Sequence, residues 1–505
     1  MEHSTAALNA SEEITPYRVH VSSKYLELTK KKLELTRLPH ELLLPKAREW
    51  EFGTPKGVVE PLIDFWLEEY HWREREEHLN TTLPQFRTAI SLPPALSTSI
   101  PPPPLEQAPT PPLRIHFIHL RSPHPSAIPL LLLPPFPLTN LSLSSSPLFT
   151  SLSKPESPTS MQAFHVVCPS IPGLGFSDAF TSSSSVLEQT ADLFNTLMLR
   201  LGYVEYLCSS TASGRESPAG IDYRLPRMMG ERFAENCVGV HVLEPVVEAP
   251  RVGRQTVAWM KFNVAKFFQA NVWGYENEDW IALRASAAAA RNPSTGESGK
   301  RRALLRGGRG SGGYGATAHL GLREPNTLSY ALTDSPVGIL SMILSSLHKT
   351  SPEHKLSETQ IIDITQLAWL PGPEAGLRFL SSASKDLENN EARETTRKSR
   401  IAVTVFTEES GYTPPAWLST THSIIFTQRV PGKAGLTIWE RSDVLLSGIR
   451  GLARSLDTLG RLPSPLERVV VTVAEVDEEE DDDEGHEFQL DVESPDTDHT
   501  IVAAS

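Results

Sequence analysis

Apolar residues recur along this chain in two rhythms. Spacings of three and four predict amphipathic helices over residues 26–35, 58–72, 185–201 and 442–456, and residues 224–233 also read as a helix. Between them lie short apolar runs. Residues 113–120 (LRIHFIHL), 128–133 (IPLLLL), 165–168, 204–208, 238–242, 401–406 (IAVTVF) and 423–426 read as strands. The run 128–133 is apolar throughout, which predicts a strand covered on both faces, as in a parallel sheet. Strands alternating with helices predict an α/β fold with a mostly parallel central sheet. Residues 246–398 are mainly helical and interrupt the strands, the pattern expected of a helical lid over an open sheet. Residues 139–160, rich in Ser, Thr and Pro, read as a long loop.

A length of 505 residues allows about three domains. Prolines cluster at 101–112, which predicts an extended linker. The net charge of −14 is concentrated at one end. Residues 466–505 hold 15 acidic side chains against one basic, Arg468, so the tail carries the whole excess and the remaining body is neutral. Such a tail is expected to stay disordered, and a neutral body is not expected to bind nucleic acid by bulk charge. Three scattered cysteines, Cys168, Cys208 and Cys237, exclude a disulfide scaffold and a zinc site, and fit a reducing compartment. Residues 1–15 are polar and acidic, without the apolar stretch of a signal peptide, so a cytoplasmic protein without a membrane anchor is expected.

Few motifs carry chemistry on their own. The run GKRRALLRGGRGSGGYG at 299–315 lacks the glycine and hydroxyl spacing of a phosphate-binding loop and reads as a basic loop. His116 and His119, three apart in a strand, face opposite sides and share no metal; the strand is expected to be half exposed. Small residues follow Leu207, so a tight turn is feasible there, and Ser210, Thr211 or Ser213 offers a hydroxyl at a strand-to-helix junction. Glu408 and Glu409 follow the strand 401–406, where an acid can orient a base. The loop 429–437 before the last helix, where such a base belongs, contains no histidine, and His422 lies upstream.

Specific stretches resemble the epoxide hydrolases of the microsomal and fungal type. They include Pro16-Tyr17-Arg18-Val19, Leu35-Thr36-Arg37-Leu38-Pro39, Trp50-Glu51-Phe52-Gly53-Thr54-Pro55, Phe65-Trp66, Tyr70-His71-Trp72-Arg73 and Pro84-Gln85-Phe86. Further anchors are the strand 113–119, the stretch 169–178 (PSIPGLGFSD), Arg200-Leu201-Gly202-Tyr203 and Thr333-Asp334-Ser335-Pro336-Val337-Gly338. Together they span roughly residues 14–460. The resemblance implies an α/β-hydrolase fold with an N-terminal meander domain and a helical lid. The expected divisions are a disordered 1–13, an N-terminal domain 14–112 with linker 97–112, core halves 113–245 and 399–465, a lid 246–398 with a disordered loop 293–315, and the tail 466–505. The resemblance also implies two-step hydrolysis without metal or cofactor. An Asp opens the epoxide as an ester, two lid tyrosines donate to the leaving oxygen, and a His oriented by an acid activates water.

Carried over by position, most of that machinery is substituted. The HGWPG turn of the oxyanion hole falls on residues 134–138, where Phe136 keeps its N–H. The GGDWG elbow falls on Ser210, Thr211, Ala212, Ser213 and Gly214, so Ala212 stands at the nucleophile. Counting back from residues 238–241 gives Gly220, two short of Asp222, which becomes a displaced candidate whose other reading is a first-turn acid of the next helix. Glu409 matches the acid, Gly435 stands at the base, Thr317 and Leu380 stand at the tyrosines, and Tyr314 lies three before Thr317. Three readings stay open: a degenerate family member that binds a ligand or a protein, a working enzyme using Asp222, Glu409 and Tyr314, or a hydrolase using Ser210 or Ser213. Expected partners are a small apolar epoxide or related ligand and a second copy of the chain; the acidic tail is expected to meet a basic partner or the chain's own basic loop.

Overall fold

The structure, a computed structural model, describes residues 13–92, 111–157, 160–181, 185–253, 255–291, 324–389, 398–409 and 411–463. Tyr314, Thr317, the basic loop 299–315, the tail 466–505 and most of the proline-rich stretch lie outside these residues.

The chain opens with β1 (Thr15–Pro16), α1 (Ser23–Glu34), α2 (Lys56–Glu68), α3 (Trp72–Thr82) and β2 (Gln85–Ile90). Next come β3 (Leu113–Leu120), β4 (Ile128–Leu133), α4 (Leu148–Ser153), β5 (Phe164–Pro169), α5 (Val186–Arg200), β6 (Tyr206–Ser213), α6 (Ile221–Arg232) and β7 (Cys237–Leu243). The lid segment holds α7 (Thr256–Phe268), α8 (Asn277–Arg291), α9 (Pro325–Asp334), α10 (Pro336–Thr350), α11 (Glu358–Trp369) and α12 (Glu374–Asn389). The chain closes with β8 (Arg400–Phe406), β9 (Ser423–Val430), α13 (Thr437–Glu440) and α14 (Ser442–Thr458).

All strands join one sheet in the order β1-β2-β3-β5-β4-β6-β7-β8-β9. The strands from β5 to β9 in this order run parallel, and β1, β2 and β3 extend one edge antiparallel. Side chains alternate between two cores. Leu130 and Leu132 of β4 join Ile449 and Leu452 of α14 on one face, and Leu131 joins Phe194 of α5 and Met229 of α6 on the other. This double cover is why the run 128–133 is apolar at every position.

Several elements differ from expectation. The helix predicted over 58–72 is two helices, α2 and α3, and at the break Tyr70 turns inward and donates to Asp363 at 2.8 Å. Strand β2 was not foreseen, because its mixed sequence QFRTAI carries no clear alternation. It covers one edge of β3, so His116 and His119 are buried rather than half exposed. Burial pushes both imidazoles down to about 3, which keeps them neutral. The expected loop 139–160 contains a 3-10 turn, Asn140–Ser145, and α4.

The N-terminal segment is tied directly to the lid. Arg75 makes a bidentate pair with Asp363 of α11, at 3.0 Å through Nε and 2.7 Å through Nη2. Trp369 of the same helix donates its indole N–H to Thr29 of α1 at 2.9 Å. Residues 13–90 therefore act as a brace across core and lid.

Candidate active site

In an open parallel sheet, ligands bind beyond the carboxyl ends of the strands. At that edge β6 departs from expectation. It runs on through Ser213, so Ser210, Thr211, Ala212 and Ser213 lie within the strand and not in a turn. Their hydroxyls are engaged by backbone. Thr211 donates to the Leu133 carbonyl at 2.6 Å, Ser210 donates to the Ala212 carbonyl at 3.0 Å, and Ser213 Oγ accepts from the Arg215 N–H. None of these three hydroxyls is presented as a nucleophile.

The turn that launches α6 lies further on, at residues 214–220. Ala219 and Gly220 both take left-handed backbone, with φ of 52° and 63°. Such a conformation is strained for an alanine. Ser217 accepts the Asp222 backbone N–H at 2.9 Å and so caps the first turn of α6. Asp222 thus fills the first-turn place, but its carboxyl does more. Asp222 Oδ1 accepts the Phe136 N–H at 3.0 Å. That N–H is the donor that survives between Pro135 and Pro137. The excess residues between the two sequence counts therefore carry an acid back to the candidate oxyanion donor. Burial raises the Asp222 carboxyl from 3.8 to about 7, against the lowering effect of the Phe136 and Ser217 hydrogen bonds.

The Phe136 ring joins an aromatic cluster with α12. Phe136 lies 5.6 Å, centroid to centroid, from Phe379 of α12, which lies 6.4 Å from Phe180. Arg224 of α6 donates to the Ala383 carbonyl of α12 at 2.8 Å, so the elbow helix and the lid are pinned together. Leu380, beside Phe379, packs into the same cluster and brings no hydroxyl. Two cavities, of about 170 and 320 Å³, are lined elsewhere, by residues such as Ser399 and Ser423 or Leu42 and Val58. Neither reaches Asp222.

A second acid, which the sequence analysis missed, stands at the end of β7. Glu244 is fully buried with a φ of 46°. It accepts the Phe406 N–H, and Arg215 Nε approaches it at 3.5 Å while Arg215 Nη2 donates to Thr413 at 3.0 Å. Burial pushes Glu244 up to about 7, opposed chiefly by the Arg215 charge. The signal was available, since an acid directly after an apolar strand is the feature that singled out Glu409.

Glu409 follows β8 and accepts the Ala434 N–H at 2.9 Å. The acid thus reaches the loop where the resemblance places the base, one residue before Gly435. Gly435 has a φ of 55°, and a Cβ added there would lie 2.3 Å from Glu440 Oε2. That carboxylate is itself held by the Leu436 N–H and the Ser351 hydroxyl, both at 2.9 Å.

Among the described residues no histidine hydrogen-bonds to Asp222, Glu244 or Glu409. His241 is held between Ser209 at 3.0 Å and Thr404 at 2.9 Å, and burial drives it down to about 3. His422 precedes β9 at the opposite end of the sheet, about 20 Å away by strand rise. Among the described residues no group of His, Cys, Asp and Glu is arranged to hold a metal.

The lid is locked onto this edge by a buried charge pair. Arg429 of β9 donates twice to Asp279 of α8, at 2.9 Å each, and Tyr412 donates to the same carboxylate at 2.5 Å. Arg429 also reaches Glu276 at 2.8 Å and the Gly274 carbonyl at 2.9 Å.

Comparison with known proteins gives a consistent set of likenesses. Residues 14–143 match the family model described as "Epoxide hydrolase N terminus". A Stigmatella aurantiaca protein named "Putative epoxide hydrolase" is 26% identical over 430 residues, covering 84% of this chain and 80% of that protein. Epoxide hydrolase 1 of Sus scrofa is 25% identical, over 73% of this chain and 72% of its own length. Among solved structures, the juvenile hormone epoxide hydrolase of the silkworm Bombyx mori shares the fold with a TM-score of 0.67 at 21% identity, covering 89% of this chain and 96% of that one.

Proposed function

We propose that this chain is an epoxide hydrolase family member that keeps the α/β-hydrolase frame around a site that does not complete epoxide hydrolysis. The observation that carries the reading is at Glu409. Its carboxylate meets a backbone N–H, that of Ala434, beside a glycine whose would-be side-chain space is taken by Glu440. Among the described residues no imidazole stands there to draw the proton from a water attacking an ester. Losing a base that works with its partners costs several orders of magnitude in rate. The cluster of Phe136, Phe379 and Phe180 supports the same reading, since it packs apolar rings from the 134–138 turn, the 169–181 loop and α12 together next to the residue whose N–H meets Asp222. The expected ligand is small and apolar, an epoxide or a related molecule, bound without turnover.

A second reading is favoured by one contact. Phe136 N–H on Asp222 Oδ1 puts a carboxyl against an oxyanion donor, as a displaced nucleophile would require. The test is diol formation by the full-length protein from aryl and alkyl epoxides and from juvenile hormone, with Asp222→Ala alongside. The expected result is diol at the rate of buffer alone for both proteins. Turnover by the wild type that disappears in Asp222→Ala overturns the proposal and establishes the second reading.

A further inference from the structure

The cavity of about 170 Å³ lies at the amino end of the parallel strands, where the chain enters β7, β8 and β9. Its walls include Gly230 near the end of α6, Cys237 at the start of β7, and Lys398, Ser399, Arg400 and Ser423. The Ser423 N–H donates to the Ser399 carbonyl at 2.9 Å, which fixes the entries to β8 and β9 side by side. On the other side, a Cβ added at Gly230 would lie 2.6 Å from Val240 and 3.1 Å from Ser399, so a glycine lets α6 close that wall. The length of β8, about 20 Å by strand rise, separates the cavity from Glu409 and the candidate active site.

The chemistry of the lining selects an anion. Lys398 and Arg400 bring two cations, Ser399 and Ser423 bring two hydroxyls, and no carboxylate is part of the wall. Ser399 is only 4% exposed, yet among the described residues its hydroxyl has no hydrogen-bond partner. A buried polar group left unpaired is costly, and it points to a ligand that would pair it. Arg400 is half-buried, and among the described residues its guanidinium forms no ion pair or hydrogen bond. Lys398 gives one N–H to the Ser419 carbonyl at 3.0 Å and keeps two donors. The acid beside Gly230, Glu231, meets Arg227 and His422, at 3.6 Å each, and does not line the cavity. The carboxyl end of α6 opposes an anion with a fraction of a charge, which two full cations outweigh. The volume exceeds what a single water needs. Two cations and two hydroxyl donors are more than a lone carboxylate uses, and they match a dianion with three acceptor oxygens. We propose that this cavity binds a tetrahedral oxyanion, inorganic phosphate or the phosphate of a small monoester. The Arg400 fork and Lys398 answer its charge, and the Ser399 hydroxyl donates to one of its oxygens.

The experiment is isothermal titration calorimetry of the full-length protein with inorganic phosphate and with glycerol 3-phosphate, at an ionic strength held constant with chloride. Saturable binding at one site per chain is expected. Arg400→Gln should weaken it by about tenfold or more, and Ser399→Ala by about threefold to tenfold. Neither variant should lose thermal stability in chloride alone, because neither side chain has a partner to lose. Tighter binding of the monoester identifies it as the source of the phosphate group, and tighter binding of inorganic phosphate identifies the free ion; both results require the same losses in the variants. Absence of saturable binding, or binding that both variants keep unchanged, overturns the proposal. So does a Ser399→Ala variant that is less stable than wild type in chloride alone, which would assign the hydroxyl to the fold instead of to a ligand.

Discussion

At Asp222 one buried carboxyl sets a measurable pH dependence. Below about pH 4 both folded and unfolded chains hold this proton. Between about 4 and 7 the unfolded chain releases it while the folded protein keeps it, so stability falls as pH rises and levels off above 7. A raise from 3.8 to about 7 corresponds to roughly 4 kcal/mol at full ionisation. Asp222→Asn keeps an acceptor for the Phe136 N–H and removes that cost. Urea unfolding should find the variant more stable than wild type at pH 8 and the gap closing by pH 4; a variant less stable at pH 8 contradicts the assignment. Glu244 adds a pH dependence of the same sign to both proteins, so the difference isolates Asp222. Gly435 makes a second residue-scale case. Gly435→His forces a side chain into left-handed backbone and against Glu440. It should lower stability by about 1–3 kcal/mol. Combined with Glu440→Ala, the loss should be smaller than the sum of the single losses; strict additivity would show that the two positions do not collide. The position of Asp222 was legible by counting along the chain. That its carboxyl turns to Phe136 was not, because the contact joins residues 86 apart in sequence.

Among elements, the buried pair between β9 and α8 holds the lid on the sheet. Asp279 is fully buried and Arg429 is 6% exposed on its side chain, so removing either partner leaves an uncompensated charge. Arg429→Ala should cost about 3–5 kcal/mol by denaturant unfolding and open α8 to protease. A cost below about 1 kcal/mol would mean the lid is held by apolar packing alone. The parallel strands were legible because burial on both faces demands unbroken apolar runs, as in 128–133 and 401–406. Strand β2 was not, since QFRTAI gains its place by pairing with β3 rather than by its own pattern. The far half of β6 was also missed: Ser209 to Ser213 read as a turn by composition, yet extend the strand with their hydroxyls bonded to backbone or to His241.

In the proposed reading the whole molecule combines the α/β-hydrolase frame with an altered centre. The N-terminal segment, the sheet and the lid are cross-braced through Arg75–Asp363, Trp369–Thr29 and Arg429–Asp279. The residues that carried the family resemblance are distributed along this frame, which is why the fold was readable from them. The aromatic cluster was not, because it depends on Phe136, Phe180 and Phe379 meeting across more than 200 residues of chain. In that reading Glu409 holds a backbone loop, through the Ala434 N–H, instead of orienting a base. The most direct test is the rate of diol formation from styrene oxide by the full-length wild type, by Glu409→Gln and by buffer alone. Three indistinguishable rates are expected. Wild-type turnover that Glu409→Gln abolishes would contradict that reading, because Glu409 would then be serving a working base.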